Sequence, residues 1–197
     1  NRTGLYVRGS LSPEKVEPGP GDQNVRGWKT NLAQREYWRT VSMKNRLMRE
    51  AIRLSIQKMR GGHGGPFGAI VTRGSQIVGR GWNQVTSTND PTAHAEIVAI
   101  RAACRRLKTF ELDDCDLYTS CEPCPMCLSA IYWARIRTVY YANTRRDAAR
   151  IEFDDDFIYR EVPLPIRRRK LPMRQLLRNE ALKAFVEWEQ KPDKIRY

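Results

Sequence analysis

Two short segments of this chain hold residue types that can do chemistry together: Pro91-Thr92-Ala93-His94-Ala95-Glu96 and Cys121-Glu122-Pro123-Cys124-Pro125-Met126-Cys127. They supply His-x-Glu and Pro-Cys-x-x-Cys, that is, one nitrogen and two sulfur ligands with a carboxylate that need not touch a metal. Three protein ligands leave the fourth tetrahedral position of a Zn2+ ion to water, which separates a catalytic site from a structural one. Zinc lowers the pKa of such a water from about 15.7 towards roughly 7. Glu96, two residues from His94, can take the proton of that water and pass it to a ring nitrogen and then to a departing amine. The chemistry these residues point to is hydrolytic removal of an amine from a heterocycle.

The spacing also says which elements must hold them. Cys124 and Cys127 stand three apart, on one face of a helix's first turn. Pro123 and Pro125 suit a helix start, where a missing amide donor costs nothing. The positive end of the helix dipole favours thiolate over thiol. His94 opens a second helix, read over 94–107 with apolar Ile97, Val98, Ile100 and Ala102. Apolar residues from Met43 to Met59 recur at helical spacing, and Gly61-Gly62-His63-Gly64-Gly65 ends that helix. Strands are expected at 67–72, 76–82, 116–119 and 138–142, further helices at 125–134 and 172–189, and a polar loop around Phe153-Asp154-Asp155-Asp156. Strands alternating with helices predict one α/β sandwich with helices on both faces of a central sheet.

Composition narrows the class. The chain has 197 residues, 41% hydrophobic and 29% charged, enough for one domain with a real core. No apolar run approaches the roughly 18 residues of a membrane span, and no secretory signal is visible. The first residue is Asn1, which suits a processed or trimmed form. Five cysteines, three of them clustered, suit a metal site in a reducing compartment better than a disulfide framework. That compartment is expected to be cytoplasmic, or an organelle matrix after removal of a targeting segment. Cys104 and Cys115 read as buried core residues. No Gly-Lys-Ser/Thr follows the glycine run around His63, which excludes a phosphate-binding P-loop.

The net charge of +13 is the departure from ordinary composition. It is spread along the chain, with one dense run at Arg167-Arg168-Arg169-Lys170. A basic surface can attract nucleic acid, although charge alone speaks only to non-specific binding. Residues 1–40, basic and rich in Gly and Pro, read as an extended N-terminal arm preceding a domain over 41–197.

The His-x-Glu and Pro-Cys-x-x-Cys pair is the signature of zinc-dependent nucleobase deaminases. From about Met43 to Tyr197 the chain resembles the bacterial guanine deaminases of the cytidine deaminase superfamily. The resemblance rests on Gly64-Gly65-Pro66-Phe67-Gly68-Ala69, Asn89-Asp90-Pro91-Thr92-Ala93-His94-Ala95-Glu96 and Thr119-Ser120-Cys121-Glu122-Pro123-Cys124-Pro125-Met126-Cys127. Ile131-Tyr132-Trp133-Ala134-Arg135, Phe153-Asp154-Asp155 with Phe157-Ile158-Tyr159, and a terminal tyrosine complete it. It implies a three-layer α/β/α sandwich of the cytidine deaminase type with a mixed sheet. It also implies a zinc enzyme converting guanine to xanthine and ammonia. His94, Cys124 and Cys127 are similar to that family's zinc ligands and Glu96 to its proton shuttle. Asp155 is similar to its second carboxylate, and Asn83 to the asparagine that bonds the purine ring. Tyr197 is similar to a C-terminal tyrosine that closes the pocket on a segment exchanged between subunits of a homodimer. Phe67 is implied as a ring-stacking residue, Trp133 as a pocket or interface residue.

Other readings stand beside these. Cys121 as a fourth ligand would make a closed Cys3His structural site, which has no use for Glu96. Asn83 suits a turn, Asp154 to Asp156 a solvated loop, and Tyr197 a frayed end. Phe67 and Trp133 suit a core. The basic arm and the 167–170 run exceed what a free-base deaminase needs. They raise a deaminase fold recruited as an RNA-associated or structural component of a larger assembly, or a tRNA adenosine deaminase.

Overall fold

Gly68–Arg73 and Cys115–Cys121 are short segments buried along nearly their whole length, as strands covered on both faces must be. They form the middle of the sheet in a computed structural model that describes residues 32–196. The first 31 residues and Tyr197 lie outside the described residues. The elements in chain order are α1 (Leu32–Arg60), β1 (Gly68–Arg73), β2 (Gln76–Trp82), α2 (Val85–Thr88), α3 (Ala95–Leu107), β3 (Cys115–Cys121), α4 (Pro125–Trp133), β4 (Thr138–Asn143), α5 (Arg145–Ala149), α6 (Asp156–Glu161) and α7 (Arg178–Gln190).

The sheet runs β2-β1-β3-β4. β1 is antiparallel to β2 and to β3, and β3 and β4 are parallel, so the sheet is mixed. Strand alternation divides the core between its two faces. Ala69, Val71 and Leu117 pack with Ala95, Ala99, Ile100 and Ala103 of α3 and Ile131 of α4. Ile70 and Tyr118 pack with Leu47 and Ala51 of α1 on the opposite face. The result is the expected α/β/α sandwich, with α1 as one layer and α3 and α4 as the other.

α3 seats closely because β2 carries glycine where the two meet. A Cβ on Gly81 would stand 2.1 Å from the Ala95 carbonyl oxygen, and one on Gly79 would stand 2.3 Å from that of Ala99. These are backbone atoms, which cannot swing aside. The register Gly68↔Trp82 and Ala69↔Thr119 brings the start of β1, the end of β2 and the end of β3 to one edge of the sheet. The first turns of α3 and α4 arrive at that same edge.

Three elements differ from the sequence reading. α1 is a 29-residue helix that begins at Leu32, so residues 32–40, expected in the extended arm, are helical. Tyr37 and Trp38 there are exposed, so those turns bury no apolar stripe that periodicity could detect. The loop after β4 contains α5 and α6, and α5 opens on a capping box in which Thr144 and Asp147 satisfy each other's backbone. The last helix starts at Arg178, not near 172, after Leu177 in the left-handed region (φ 50°). No helix among the described residues is long and apolar enough to cross a membrane.

Candidate active site

Two helix N-termini converge at the sheet edge, and each is capped by a residue whose side chain does not cap. His94 precedes α3 at φ −69°, ψ 157°, and Cys124 precedes α4 at φ −65°, ψ 168°; neither side chain bonds its own helix. Such extended residues normally turn their side chains onto the helix amides. Here the imidazole and the sulfur turn to each other instead. Pro125 occupies the first turn of α4, and Cys127, fully buried, sits within that turn.

His94 Nδ1 lies 3.5 Å from Cys124 Sγ and 3.5 Å from Cys127 Sγ. All three ligand atoms lie within 4.8 Å of one another. A tetrahedral zinc with usual Zn–N and Zn–S bonds would impose an N···S separation of about 3.6 Å. The donor set and its spacing therefore fit zinc. Hydrogen bonds from Cys127 and His94 hold the Cys124 thiol down to about 4, against the pull of burial. The same bond to Cys124 raises His94. Cys127 is pushed up as the donor in that pair, and by burial.

Cys121 is not among the gathered atoms. Its thiol donates to the Thr144 carbonyl at 3.6 Å, and burial pushes it up to about 11. The closed four-ligand reading thus lacks its fourth ligand, and the ligand count stays at three. Cys115 is fully buried, as expected, while Cys104 is half-buried.

Glu96 sits in the first turn of α3, almost wholly buried. Thr119 donates its hydroxyl to Glu96 Oε1 at 3.0 Å, and the Cys127 thiol reaches Oε2 at 3.4 Å. Burial raises the Glu96 carboxyl above the usual carboxylate range. A buried acid with a raised pKa, within reach of a metal ligand, is suited to exchanging protons near neutral pH.

These groups open into a cavity of about 520 Å³. Phe67, Asn83, His94, Glu96, Cys124 and Asp155 all line it, six of the nine residues expected at a site. The Asn83 carboxamide oxygen accepts from the backbone N–H groups of Gly65 (3.4 Å) and Val85 (3.3 Å). It acts as a turn residue, as the plainer reading had it, but that fixes only its oxygen. Its NH2 group must point the other way, and it donates to no group among the described residues. Gly64 (φ 141°) permits this, since a Cβ there would stand 2.0 Å from the Asn83 carbonyl oxygen. Asp155 precedes α6 without capping it, which leaves its carboxylate to the cavity. Burial and the nearby Cys124 raise its pKa.

Phe67 meets Phe153 edge to face at 4.9 Å, so one of its contacts is already made within the cavity wall. Trp133 does not line the cavity. It ends α4 with 69% of its surface exposed, because the ligand-bearing end of that helix is the other one. Of the remaining two expected residues, Cys127 is buried behind the cavity wall, and Tyr197 lies outside the described residues. Sequence reasoning missed Thr119, Glu122 and Arg145. Glu122 accepts from the backbone N–H of Arg145 at 3.0 Å, and the Arg145 guanidinium lies 4.6 Å over the Tyr159 ring. No signal in the sequence marked Thr119, because its strand also carries Asp116 and the buried Ser120.

Residues 41–143 match the cytidine and deoxycytidylate deaminase zinc-binding region. The chain is 49% identical over 150 residues to a guanine deaminase of Bacillus subtilis (strain 168), covering 76% of this chain and 96% of the relative. The X-ray structure of guanine deaminase from Bacillus subtilis superposes with a TM-score of 0.76 at 48% identity, over 78% of this chain and 98% of that one. A tRNA-specific adenosine deaminase of Buchnera aphidicola is 36% identical over 119 residues, covering 60% of this chain and 76% of the relative.

Proposed function

Because the chain belongs to the zinc-binding cytidine and deoxycytidylate deaminase family, we propose that it is a guanine deaminase, hydrolysing guanine to xanthine and ammonia. The observation that carries this reading is the meeting of His94, Cys124 and Cys127 beside Glu96, with His94, Cys124 and Glu96 lining one cavity that Asn83 and Asp155 also line. The alternative of a tRNA adenosine deaminase has the shorter and weaker likeness.

In this reading His94, Cys124 and Cys127 hold Zn2+, which when bound acidifies a water for attack on an electrophilic ring carbon. At guanine C2 a C–O bond forms and the C–N bond to the exocyclic amine breaks. Glu96 takes one proton of the water and delivers it to N3, then carries the second, from the hydroxyl added at C2, to the departing nitrogen as the C2 carbonyl forms. Thr119 keeps the carboxylate in one orientation while it does so. Asn83 donates its NH2 group to a ring acceptor. Asp155 accepts from the amino group that leaves. Phe67 supplies a flat apolar wall for the ring.

Tyr197 closes the cavity in this proposal, on a C-terminal segment exchanged in a homodimer. Leu176, Leu177, Phe185 and Trp188 support it, being apolar and 81%, 70%, 74% and 45% exposed in the single chain. That much apolar surface calls for a cover. All five cysteines are free, which suits a cytoplasmic setting.

The test is an activity panel on purified protein. It should bind about one zinc per chain and convert guanine, followed by the ultraviolet change. Zinc without turnover on guanine, adenine, cytosine or their nucleosides would refute the enzyme reading. Full activity in a monomer lacking Tyr197 would remove the exchanged lid.

A further inference from the structure

α1 carries an arginine stripe that the site does not use. Arg35, Arg39, Arg46, Arg49, Arg53 and Arg60 recur at steps of three, four and seven residues. At about 100° per residue they fall within an arc of about 80°, and at about 1.5 Å rise they span roughly 37 Å. All six are exposed. The helix holds eight Lys/Arg (these six with Lys44 and Lys58) against Glu36 and Glu50. Arg53 is held by Glu50 at 2.9 Å and by Gln57 at 3.0 Å. Arg39, Arg46, Arg49 and Arg60 have no ion pair among the described residues. Between the arginines of the last turns lies a shallow groove of about 540 Å³ floored by Ile52 and Ile56.

We propose that this stripe is a docking surface for the phosphodiester backbone of nucleic acid. A straight row of guanidinium forks matches a row of phosphates, each of which an arginine can bind bidentately. A rigid helix presents the forks at fixed spacing, so little ordering is needed on binding. An anionic membrane fits less well. The exposed Trp38, Ile56 and Met59 flank the arginines, while Leu47, Ala51 and Leu54 on the opposite side of α1, where an inserting helix would carry its apolar face, are buried against the body. α1 covers the sheet face opposite α3, and none of the stripe lines the catalytic cavity. The surface therefore places the enzyme on a polymer and does not deliver that polymer to the active site.

The test is fluorescence anisotropy of the full chain with a labelled mixed-sequence RNA of about 30 nucleotides, its DNA equivalent and the duplex, at salt from about 50 to 200 mM. Saturable binding that weakens steeply with salt is expected. Changing Arg39, Arg46, Arg49 and Arg60 together to Gln should cost about tenfold or more in affinity and flatten the log–log salt slope by about 2 to 4. The circular-dichroism melt should stay in place, and the matching set of Arg→Lys changes should retain most of the binding. Changing Arg167, Arg168 and Lys170 to Gln should leave the slope nearly as it was. The preference among RNA, DNA and duplex identifies the polymer. No binding at the lowest salt, an unchanged slope in the Arg→Gln protein, or an equal loss from the 167–170 changes would overturn the proposal. So would tighter binding to anionic vesicles or polyglutamate than to any of the three polymers. None of these outcomes depends on guanine turnover.

Discussion

The Thr119 hydroxyl donates to Glu96 Oε1 across 3.0 Å, inside the protein, and ties the end of β3 to the first turn of α3. That bond favours the charged carboxylate, while burial opposes it. Thr119→Val removes the donor and keeps the shape, so Glu96 becomes harder to ionise. A hydrogen bond to a charged group is worth about 1.5–3 kcal/mol, and turnover should fall about 10- to 100-fold. A base must be deprotonated to act, so activity is lost as pH falls through the Glu96 pKa. Raising that pKa moves the acid limb of the pH–rate profile to higher pH. Thr119→Ser should restore the parent limb; a profile that does not move in Thr119→Val would show that this bond does not tune Glu96.

Glu96→Gln keeps the side chain's size and leaves Thr119 a partner, but the amide cannot shuttle a proton. Zinc content should stay at the parent value while turnover on guanine drops about 10²- to 10⁴-fold. Measuring metal and rate on the same preparation separates a lost shuttle from a lost metal. Undiminished turnover would refute the role assigned to Glu96.

The metal ligands could be read from the sequence because their geometry is local. A three-residue step at a helix start puts two sulfurs on one side, and His94 opens its own helix. The first central strand was legible from the short apolar run Ala69-Ile70-Val71, and the mixed sheet followed from the resemblance. What escaped depended on partners distant in sequence or on surfaces with no apolar period. Thr119 meets Glu96 across 23 positions. The first turns of α1 carry arginines and exposed aromatics where periodicity looks for buried residues. Trp133 sits in a motif beside the site residues, yet the axis of α4 carries it to the end away from the cavity.

Asn83 has two separable jobs, and two substitutions divide them. Asn83→Asp keeps an acceptor for the Gly65 and Val85 N–H groups and replaces the NH2 donor with a second, charged oxygen. Its melting temperature should stay near the parent's, with kcat/KM for guanine lowered about 10- to 100-fold. Asn83→Ala also abandons the two backbone donors and should melt lower. If Asn83→Asp turned over guanine like the parent, the residue would be a turn residue alone.

Gly81 tests how far the site depends on the seating of α3 against the sheet. A Cβ at this position would stand 2.1 Å from the Ala95 carbonyl oxygen and 2.4 Å from the Ala99 nitrogen. Neither atom can rotate away, so Gly81→Ala must push the whole start of α3 outwards. Overpacking of this kind costs about 1–3 kcal/mol. At roughly 2–4 °C per kcal/mol for a chain of this size, the melting temperature should fall by about 2–12 °C. Ala95 lies between His94 and Glu96, so the same displacement moves a ligand and the proton shuttle together. Turnover should therefore fall by more than the lost stability accounts for, even well below the melting temperature. Gly74 provides the contrast. It sits at φ 57° with nothing within 4 Å of a Cβ, and Asn tolerates that left-handed conformation. Gly74→Asn should melt and turn over like the parent; if Gly81→Ala did the same, the close approach of β2 and α3 would not be what positions the site.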